Sequence, residues 1–423
     1  MDPFFLIIAI LFGFLLGVVS GLTPGIHVNN LALLLLGIAP LAPLPLAYIA
    51  VLILSNYIAH TFFDIVPSVF IGAPDEETAL AVLPGHRLLL EGRGIEAIKL
   101  SATGSALSVP ISLAMMPVLS ILFIHLYATV EAMTSYILIA ILIFMVFMER
   151  EEKIPGQGSF SFSRQRRRIF AILSISLSGL LGTFAFRYQD IFTPLIPIPS
   201  SFLFPLLTGL FGAPIIAQSI RNKPQIPEQD KREITMKKRS IFKNSFIGSL
   251  SGSLVSWLPG VSSGVATVLA RYFVRGESEE FIISLSSVNT SNALYNLLFF
   301  YLLGISRSGA INGVKSLLGF ISLDWFLIFL AVAVLISLFS YIALLHLSPS
   351  LSLIFTRLNY TTLNISILIF LFGMILLFTG INGILLFLLS FFVGSALQKL
   401  GVKRTNAMSC IMIPIILMRF NII

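Results

Sequence analysis

The stretch "GVVSGLTPGIHVNN", residues 17–30, separates two apolar runs at a point where a membrane helix is expected to continue. It contains a Thr-Pro-Gly triplet, a histidine and two asparagines. Pro24 lacks the N–H that a helix needs at an interior position, and Gly25 permits backbone angles that other residues resist. The sequence therefore predicts a helix that ends near Pro24 and a shorter helix that starts over "HVNNLALLLL".

The composition of the chain is that of a membrane protein. Of its 423 residues, 57% are hydrophobic and 11% are charged, and the mean hydropathy is +0.97. Soluble domains carry about 25% charged residues, and a spanning helix needs about 20 apolar residues. We predict an all-α polytopic integral membrane protein. Separate apolar spans are expected over 98–126 and 131–148, and again over 362–379 and 381–398.

The net charge of +8 comes largely from clustered basic residues. Fourteen of the 27 Lys and Arg residues lie in two polar loops, over 149–168 and 221–243. Basic loops beside membrane spans are cytoplasmic by the positive-inside rule. This placement predicts a multi-pass protein of the cell membrane, surrounded by the lipid bilayer, and it argues against a nucleic-acid partner.

The sequence lacks the motifs of two common classes of enzyme. There is no GxxxxGK[ST] loop for a nucleoside triphosphate and no HExxH metal motif. The single cysteine, Cys410, excludes an intrachain disulfide and a CxxC metal site. The first apolar run has no Lys or Arg before it and no clear A-x-A cleavage site, so we interpret it as a retained span. We expect neither catalysis nor a cofactor.

A second copy of the opening stretch lies 235 residues further along the chain. "GFLLGVVSGLTPG" (13–25) and "GSLSGSLVSWLPG" (248–260) share two glycines and a final Pro-Gly in the same register. The matched residues are Gly13 and Gly248, Gly17 and Gly252, Pro24 and Pro259, and Gly25 and Gly260. A further match joins "SNYIAH" (55–60) to "SNALYN" (291–296) at a spacing of 236, which pairs His60 with Asn296. Two matches in nearly the same register predict an internal duplication.

The two copies are expected to begin on opposite sides of the membrane. "MDPFF" before the first copy has no basic residue, whereas "KKRSIFK" before the second is expected in the cytoplasm. We therefore predict two inverted-topology repeats with broken, re-entrant helices, a common construction of secondary transporters. Arg307 and Lys315 fit this scheme less well, because it places them outside. The predicted division is a first membrane repeat over 1–148, a basic cytoplasmic loop over 149–168, connecting transmembrane helices over 169–220, a second basic cytoplasmic loop over 221–243 and a second membrane repeat over 244–423.

The restarting half-helices predict an anion site. The first N–H groups of a helix lack internal partners, and this end is partially positive, so it favours an anion. Two inverted copies bring such ends together near the midplane of the bilayer, where polar side chains beside the breaks suit a small anionic substrate. The candidate substrate-binding residues are Pro24, Gly25, His27, Asn29, Asn30, Asn56, Pro259, Gly260, Ser262, Ser263, Asn292, Asn296 and Arg307.

Simpler explanations exist for these residues. A GxxxG pattern, as in Gly13 and Gly17, usually allows two helices to pack closely. A Pro-Gly pair also occurs at an ordinary kink, and an Asn inside a span also forms interhelical hydrogen bonds. The duplication of both breaks, each followed by polar residues, favours ligand binding over a kink.

Asp64, within "HTFFDIVPSVF", is an ionisable residue in apolar surroundings. Such a group is costly in a membrane and is a functional candidate by default. We treat Asp64 as a candidate for binding a coupling cation such as Na⁺ or for carrying a proton. His60 lies four residues earlier on the same helical face, and a histidine titrates near neutral pH. The alternatives are an Asp64 at a helix end in water and a His60 that is a structural donor.

The segment over 72–94 is the most polar part of the first half. Its Pro84-Gly85 pair predicts another break in the chain. Arg87 and Arg93 suit bidentate contacts to a carboxylate or phosphate, and they equally suit an anchor at the cytoplasmic surface.

The Pro-Gly breaks and the segment "GAPDEETALAVLPGHRLLLEGRGIEAIKL" (72–100) resemble the TctA family, in an archaeal-type member. These proteins are the large permease subunits of tripartite tricarboxylate transporters. The resemblance implies secondary active uptake of a di- or tricarboxylate, driven by a cation gradient. It also implies a small membrane subunit and an extracytoplasmic binding protein as partners. By position, Pro24, Gly25, Pro259 and Gly260 match the broken helices of the family.

A second resemblance competes over a short segment. "LPGVSSGVATVLARYF" (258–273) is similar to the "PGVSGGT" signature of membrane proteins proposed to return polyprenyl phosphate across the bilayer. Translocation of a lipid-linked phosphate is therefore the first alternative to carboxylate transport, and a non-transporting scaffold subunit is the second. A homodimer is left open.

Overall fold

The computed structural model describes most of the chain. The described residues are 2–23, 28–39, 44–72, 78–149, 164–195, 202–222, 227–230, 234–257, 263–274, 278–357 and 360–423. All regular secondary structure in these ranges is helical. The prediction of an all-α protein is confirmed. In chain order, the α-helices of the described residues are α1 (Pro3–Leu22), α2 (Val28–Ile38), α3 (Leu46–Phe63), α4 (Ile65–Phe70), α5 (Val82–Leu90), α6 (Gly94–Phe147), α7 (Arg164–Arg187), α8 (Leu203–Leu207), α9 (Ala213–Asn222), α10 (Lys238–Trp257), α11 (Ser263–Phe273), α12 (Ser278–Leu303), α13 (Gly309–Leu318), α14 (Leu323–Arg357), α15 (Tyr360–Leu400) and α16 (Ser409–Arg419).

Six helices in the described part of the chain are long and apolar enough to cross a membrane. They are Pro3–Leu22, Leu46–Phe70, Gly94–Phe147, Gln165–Arg187, Leu323–Ile354 and Asn364–Leu400. This confirms a multi-pass membrane protein. Helix α12 is not among them because it is rich in Ser, Thr and Asn, although every residue from Phe281 to Phe300 is buried. A helix enclosed by other helices meets little lipid, so its polar side chains face other protein groups.

Helices α6 and α15 each cover two apolar segments that the sequence analysis treated as separate spans. The spans expected over 98–126 and 131–148 are one helix, α6, because no Gly or Pro occurs from residue 118 to residue 147. The spans expected over 362–379 and 381–398 are correct, since α15 is kinked at Gly380, which has a φ of 66°. A Cβ added at Gly380 would lie 2.5 Å from Thr193 O, so the kink also permits a close approach.

The predicted loop boundaries move by a few residues. Helix α7 already begins at Arg164 and α10 at Lys238, inside the segments expected to be basic loops. A helix extends readily past the membrane surface when its outer turn is basic and water-soluble. The break predicted at Pro84-Gly85 is wrong, because α5 runs through both residues. Pro84 lies in the first turn of α5, where the missing N–H removes no helical hydrogen bond.

The first predicted helix interruption of the duplicated motif is present, and the second, over 258–262, lies outside the described residues. Helix α1 ends at Leu22, after which Thr23 is extended, and the next described helix begins at Val28. In the second half, α10 ends at Trp257 and α11 begins at Ser263. The residues at the breaks themselves lie outside the described residues, and these include Pro24, Gly25, His27, Pro259, Gly260 and Ser262.

The glycines of the duplicated motif each pack a broken helix against a continuous one. A Cβ added at Gly13 would lie 2.5 Å from Leu52 O, and one at Gly17 would lie 2.5 Å from Ala59 Cβ. Because both residue numbers increase together, α1 runs parallel to α3. In the same way, Gly248 abuts Ser284 O and Gly252 abuts the Ser291 side chain, so α10 runs parallel to α12. The prediction that these glycines serve helix packing is confirmed.

The two helix pairs run in opposite directions. Thr61 Oγ1 lies 3.0 Å from Thr290 Oγ1, and Gly313, beyond the end of α12, lies beside Ile53 in the first half of α3. Helices α3 and α12 are therefore antiparallel. The short helix of each half packs on the other half: α13 contacts α2 and α3, and α5 contacts α12. These directions agree with an inverted duplication, which itself stays a prediction.

The glycine contacts align the two halves differently from the Ser-Asn match. Gly17 faces Asn56 O, Ala59 Cβ and His60 N, whereas Gly252 faces Val288 O, Ser291 Oγ and Asn292 N. The spacing between α3 and α12 is thus 232 residues and not 236, one helical turn less. His60 corresponds to Asn292, and Asp64 corresponds to Asn296. The shared letters "SN" do not mark equivalent positions, because packing depends on what lies against each glycine.

We expect Gly17→Ala to destabilise the fold. Its added methyl group meets Ala59 and the backbone of Asn56, and overpacking of this kind costs about 1–3 kcal/mol. The midpoint of thermal unfolding in detergent measures the effect. Gly373→Ala is the matched control, because nothing lies within 4 Å of a Cβ at this position in α15. Equal midpoints for the two variants would contradict the close packing of α1 on α3.

Candidate functional site

The end of α1 carries a buried polar group that joins it to α3. Ser20 Oγ lies 2.9 Å from His60 Nδ1 and 3.2 Å from Asn56 Oδ1. All three side chains are buried. Asn56 Nδ2 is buried without a hydrogen-bond partner among the described residues. An unsatisfied buried donor costs about 1–3 kcal/mol, so this N–H is a candidate donor for a ligand.

Asp64 lies at a kink between α3 and α4. Pro67, in the first turn of α4, has no N–H for the carbonyl of Phe63, so the helix is interrupted at Asp64. The carboxylate is 3% exposed, which overturns the alternative of a helix end in water. Asn289 of α12 donates an amide N–H to Asp64 Oδ2 at 2.6 Å.

The local sequence of α3 explains why these side chains share one face. Asn56, His60 and Asp64 are spaced by four residues, so they lie one above another along a helix. Gly17 and Gly21 of α1 pack along the same face: a Cβ added at Gly21 would lie 2.7 Å from Phe63 Cβ and 3.1 Å from Asp64 N. The first break therefore follows directly after the contact of α1 with Asp64.

In the second half, the polar group is built on α12 and the start of α11. Asn296 Nδ2 donates to Asn292 Oδ1 at 2.9 Å, and both side chains are buried. Asn296 Oδ1 and Ser263 Oγ are buried without a partner in the described ranges. Ser263 is the first described residue of α11 and follows Gly260 by three residues in the chain.

The side chain of Asn29 forms a hydrogen bond with the backbone of α13. Its Oδ1 accepts a hydrogen bond from Ala310 N at 3.1 Å, and Gly309 packs against its side chain. Asn29 thus caps α13 and ties the first half-helix to the second half of the chain. The side chain of Asn30 lies outside what the structure describes.

Arg307 follows α12 and lies close in the chain to Gly309 and Ala310, which contact Asn29. Its guanidinium donates to the Tyr127 hydroxyl at 2.6 Å, lies 3.8 Å from Glu131 Oε1 and covers the ring of Phe299. Phe299 is ten residues beyond Asn289 on α12, or about 15 Å along the helix axis. The structure therefore does not bring Arg307 together with Asp64.

The arginines of the 72–94 segment bind carboxylates of the protein. Arg87 Nε pairs with Glu91 at 3.0 Å near the surface. Arg93 pairs with Glu96 at 2.8 Å and with Glu279, in the first turn of α12, at 2.7 Å. The pKa of Arg93 is raised, mainly by its hydrogen bond to Glu96. Arg93 thus joins the two halves of the chain. The sequence had suggested either anion binding or an anchor at the cytoplasmic surface, and neither role includes this contact.

Sequence reasoning missed several residues that the structure places beside the predicted ones. Ser20 and Thr61 are ordinary in composition, and nothing in their spacing singles them out. Asn289 and Thr290 belong to the polar run "SVNTSN" (287–292) inside an otherwise buried helix, which was a usable signal. Within the described ranges, no three His, Cys, Asp or Glu side chains lie close enough together to hold a metal ion. The buried polar side chains around Asp64 comprise its carboxylate, the amides of Asn56 and Asn289, and neighbouring hydroxyls. Groups of this kind suit reversible binding of small ions.

Broken helices packed on buried polar helices, in a protein that crosses the membrane several times, define a membrane transport protein. The chain belongs to the tripartite tricarboxylate transporter TctA family, whose family model matches residues 7–409. An uncharacterized protein of Methanocaldococcus jannaschii, MJ1079, is 28% identical over 421 residues, which cover 96% of this chain and 97% of that protein. No solved structure matches the chain.

Proposed function

We propose that this protein is the permease of a secondary active transporter for a small anionic substrate, a di- or tricarboxylate, driven by a cation gradient. The observation that carries the proposal is the arrangement of α1, α3, α10 and α12. Each half supplies a helix that carries the Pro-Gly motif at its end, α1 or α10. This helix packs on a buried polar helix, α3 or α12, and these two polar helices run in opposite directions. Inverted repeats of this kind move substrate by alternating access.

The anion is held at the restarts of the broken helices. Backbone N–H groups after Gly25 and Gly260 are the expected main contacts, because a helix start is partially positive. Three buried polar atoms that have no partner in the described ranges support this: Asn56 Nδ2, Asn296 Oδ1 and Ser263 Oγ. Asn56 and Ser263 donate to carboxylate oxygens. Asn296 suits a substrate hydroxyl.

Membership of the TctA family supports the remaining parts of the proposal. The name of the family describes a tripartite system, so we propose a small membrane subunit and a solute-binding protein as partners. Asp64 is the proposed coupling residue, with His60 beside it. The chain itself needs no catalytic group, since transport breaks no covalent bond.

The proposal is tested by titration calorimetry of the purified chain in detergent. Citrate and shorter di- and tricarboxylates are compared with a short-chain isoprenyl phosphate. Saturable binding of a carboxylate is the expected result. Binding of only the isoprenyl phosphate would overturn the substrate class in favour of a lipid-linked phosphate, and binding of neither would contradict a site formed by this chain alone.

We expect Asn56→Leu to weaken carboxylate binding by about tenfold or more, because it removes a buried N–H that the anion accepts. The dissociation constant from the same calorimetry measures the change. Asn364→Leu is the matched control. Asn364 is also a buried Asn with an unpartnered Nδ2, but it lies in α15. Similar affinities for the two variants would exclude Asn56 from the anion site.

A further inference from the structure

A cavity of about 360 Å³ lies where the end of α7 meets the end of α16. Its lining residues are Phe186, Arg187, Tyr188, Met418 and Ile423. The volume is at the lower end of the range of about 300–1,000 Å³ that is typical of small-molecule sites. A cavity of this size suits a compact polar group, and a long hydrocarbon chain has to lie outside it.

The cavity forms because α7 and α16 run parallel. Ser409 Oγ donates to Ile175 O at 2.9 Å, and a Cβ added at Gly179 would lie 3.1 Å from Ile413 Cβ. Both residue numbers rise together, so the two helices end on the same side of the protein.

A turn after α16 completes the wall of the cavity. Asn421 has a φ of 55°, in the left-handed region, and Ile422 N donates to Leu417 O at 2.9 Å. An asparagine tolerates this conformation at a helix end better than most residues do. The chain therefore folds back after α16, and Ile423 comes to lie beside Phe186 and Arg187.

The cavity lies at the level of the lipid headgroups. The candidate span Gln165–Arg187 has 23 residues, which is about 34 Å of helix and a little more than the hydrocarbon core of about 30 Å. Arg187 is the last residue of this span, and Tyr188 follows it. Tyrosine is enriched at the boundary between membrane and water, and arginine extends its charge to the same level.

An exposed apolar stripe on α7 leads to the cavity. Its members are spaced by three or four residues, so they share one face of the helix. They are between 37% and 68% exposed, and they are Ile169, Leu173, Leu177, Leu180 and Phe184. In a protein that crosses the membrane, such a stripe contacts acyl chains. One molecule can therefore lay its chains on the stripe and place its polar end in the cavity.

The polar groups of the cavity suit a phosphate ester. Arg187 has the single charged side chain among the lining residues, and within the described ranges neither its guanidinium nor the Tyr188 hydroxyl has a hydrogen-bonding or ion-pair partner. Arg419, next to Met418, is instead paired with Glu131 at 3.3 Å. A guanidinium binds two phosphate oxygens at once, and a hydroxyl donates one further hydrogen bond.

We propose that this cavity binds the phosphate headgroup of one membrane phospholipid, whose acyl chains lie along the exposed stripe of α7. The bound lipid fills the gap between the ends of α7 and α16, so it stabilises their packing. This lipid site does not depend on the proposed transport function, because none of its residues belongs to the anion site.

The test titrates the full chain, washed free of lipid in detergent, with phosphatidylglycerol. Native mass spectrometry counts the bound lipid, and the thermal midpoint is followed in parallel. We expect one tightly retained phosphatidylglycerol per chain and a higher midpoint when it is bound. Arg187→Gln should weaken this binding about tenfold or more, and Tyr188→Phe by a smaller factor. Arg239→Gln is the matched control, since Arg239 is an exposed arginine at the start of α10 and does not line the cavity.

Two partial ligands separate a lipid headgroup from a free phosphate. Diacylglycerol has the same acyl chains without the phosphate, and glycerol 3-phosphate has the phosphate without the chains. We expect neither to displace the retained phosphatidylglycerol at equal concentration. Displacement by diacylglycerol would show that the phosphate is not recognised, and displacement by glycerol 3-phosphate would show a site for a soluble phosphate ester; either result overturns the proposal.

The variants give a second way to contradict the lipid site. Wild-type affinity for phosphatidylglycerol in Arg187→Gln, or an equal loss in Arg239→Gln, would exclude the cavity as the place of binding. Because Arg187 is exposed and forms no ion pair among the described residues, all variants should have the same thermal midpoint in detergent without lipid. Equal midpoints there show that a loss of lipid binding is not a loss of folding.

Discussion

Asp64→Asn is expected to abolish concentrative uptake of the carboxylate substrate. The substitution preserves the size of the side chain and removes the charge through which Asp64 is proposed to couple uptake to the cation gradient. Uptake into vesicles that contain the protein with its partner subunits, with and without an imposed Na⁺ gradient, measures the effect. We expect accumulation to fall to the level of vesicles without the protein.

The control for this variant is Asp324→Asn, which removes the same charge from an exposed position in the first turn of α14. It should accumulate substrate as the wild type does. Calorimetry on Asp64→Asn should still detect carboxylate binding at high substrate concentration, because the proposed anion contacts do not include Asp64. Normal gradient-driven accumulation by Asp64→Asn would remove Asp64 from the coupling mechanism.

Arg93→Met is expected to lower the stability of the fold. It leaves the carboxylate of Glu96, which is 7% exposed, without its ion pair and removes the 2.7 Å contact to Glu279 across the two halves. Breaking a buried ion pair costs about 3–5 kcal/mol, and the partial exposure of Arg93 reduces this to about 2 kcal/mol. The thermal midpoint in detergent should fall accordingly.

Arg87→Met provides the comparison for Arg93. Its ion pair with Glu91 joins side chains that are 44% and 41% exposed, and surface pairs contribute about 0–1 kcal/mol. We expect the midpoint of Arg87→Met to stay close to that of the wild type. If both variants lost the same amount of stability, the contact between Arg93 and Glu279 would not stabilise the packing of the two halves of the chain.

Much of the fold follows from local properties of the chain. The end of α1 at Leu22 was predicted, because Pro24, two residues later, cannot continue the hydrogen bonding of a helix. Gly380 divides α15 for a related reason. Pro84 shows the limit of this reasoning, since the same residue type is accommodated without a break when it falls in the first turn of a helix.

The sequence alone did not align the two halves of the chain correctly. The letters Ser-Asn suggested a spacing of 236 residues, whereas the contacts of Gly17 and Gly252 define one of 232. Four residues are one helical turn, so both registers place polar residues on the same face and only packing distinguishes them. This difference decides that Asp64, and not His60, corresponds to Asn296.

The sequence by itself determined the class of protein, the positions of the breaks and the presence of a buried ionisable residue. These depend on hydropathy and on backbone chemistry, which each segment carries with it. Only the tertiary structure decided which polar side chains meet. The contact of Asp64 with Asn289 joins residues 225 positions apart, and it exists because glycines on α1 and α10 allow close packing on α3 and α12, which then cross. Arg307, predicted for the same set of residues, was placed away from Asp64 by its contacts with Tyr127 and Phe299.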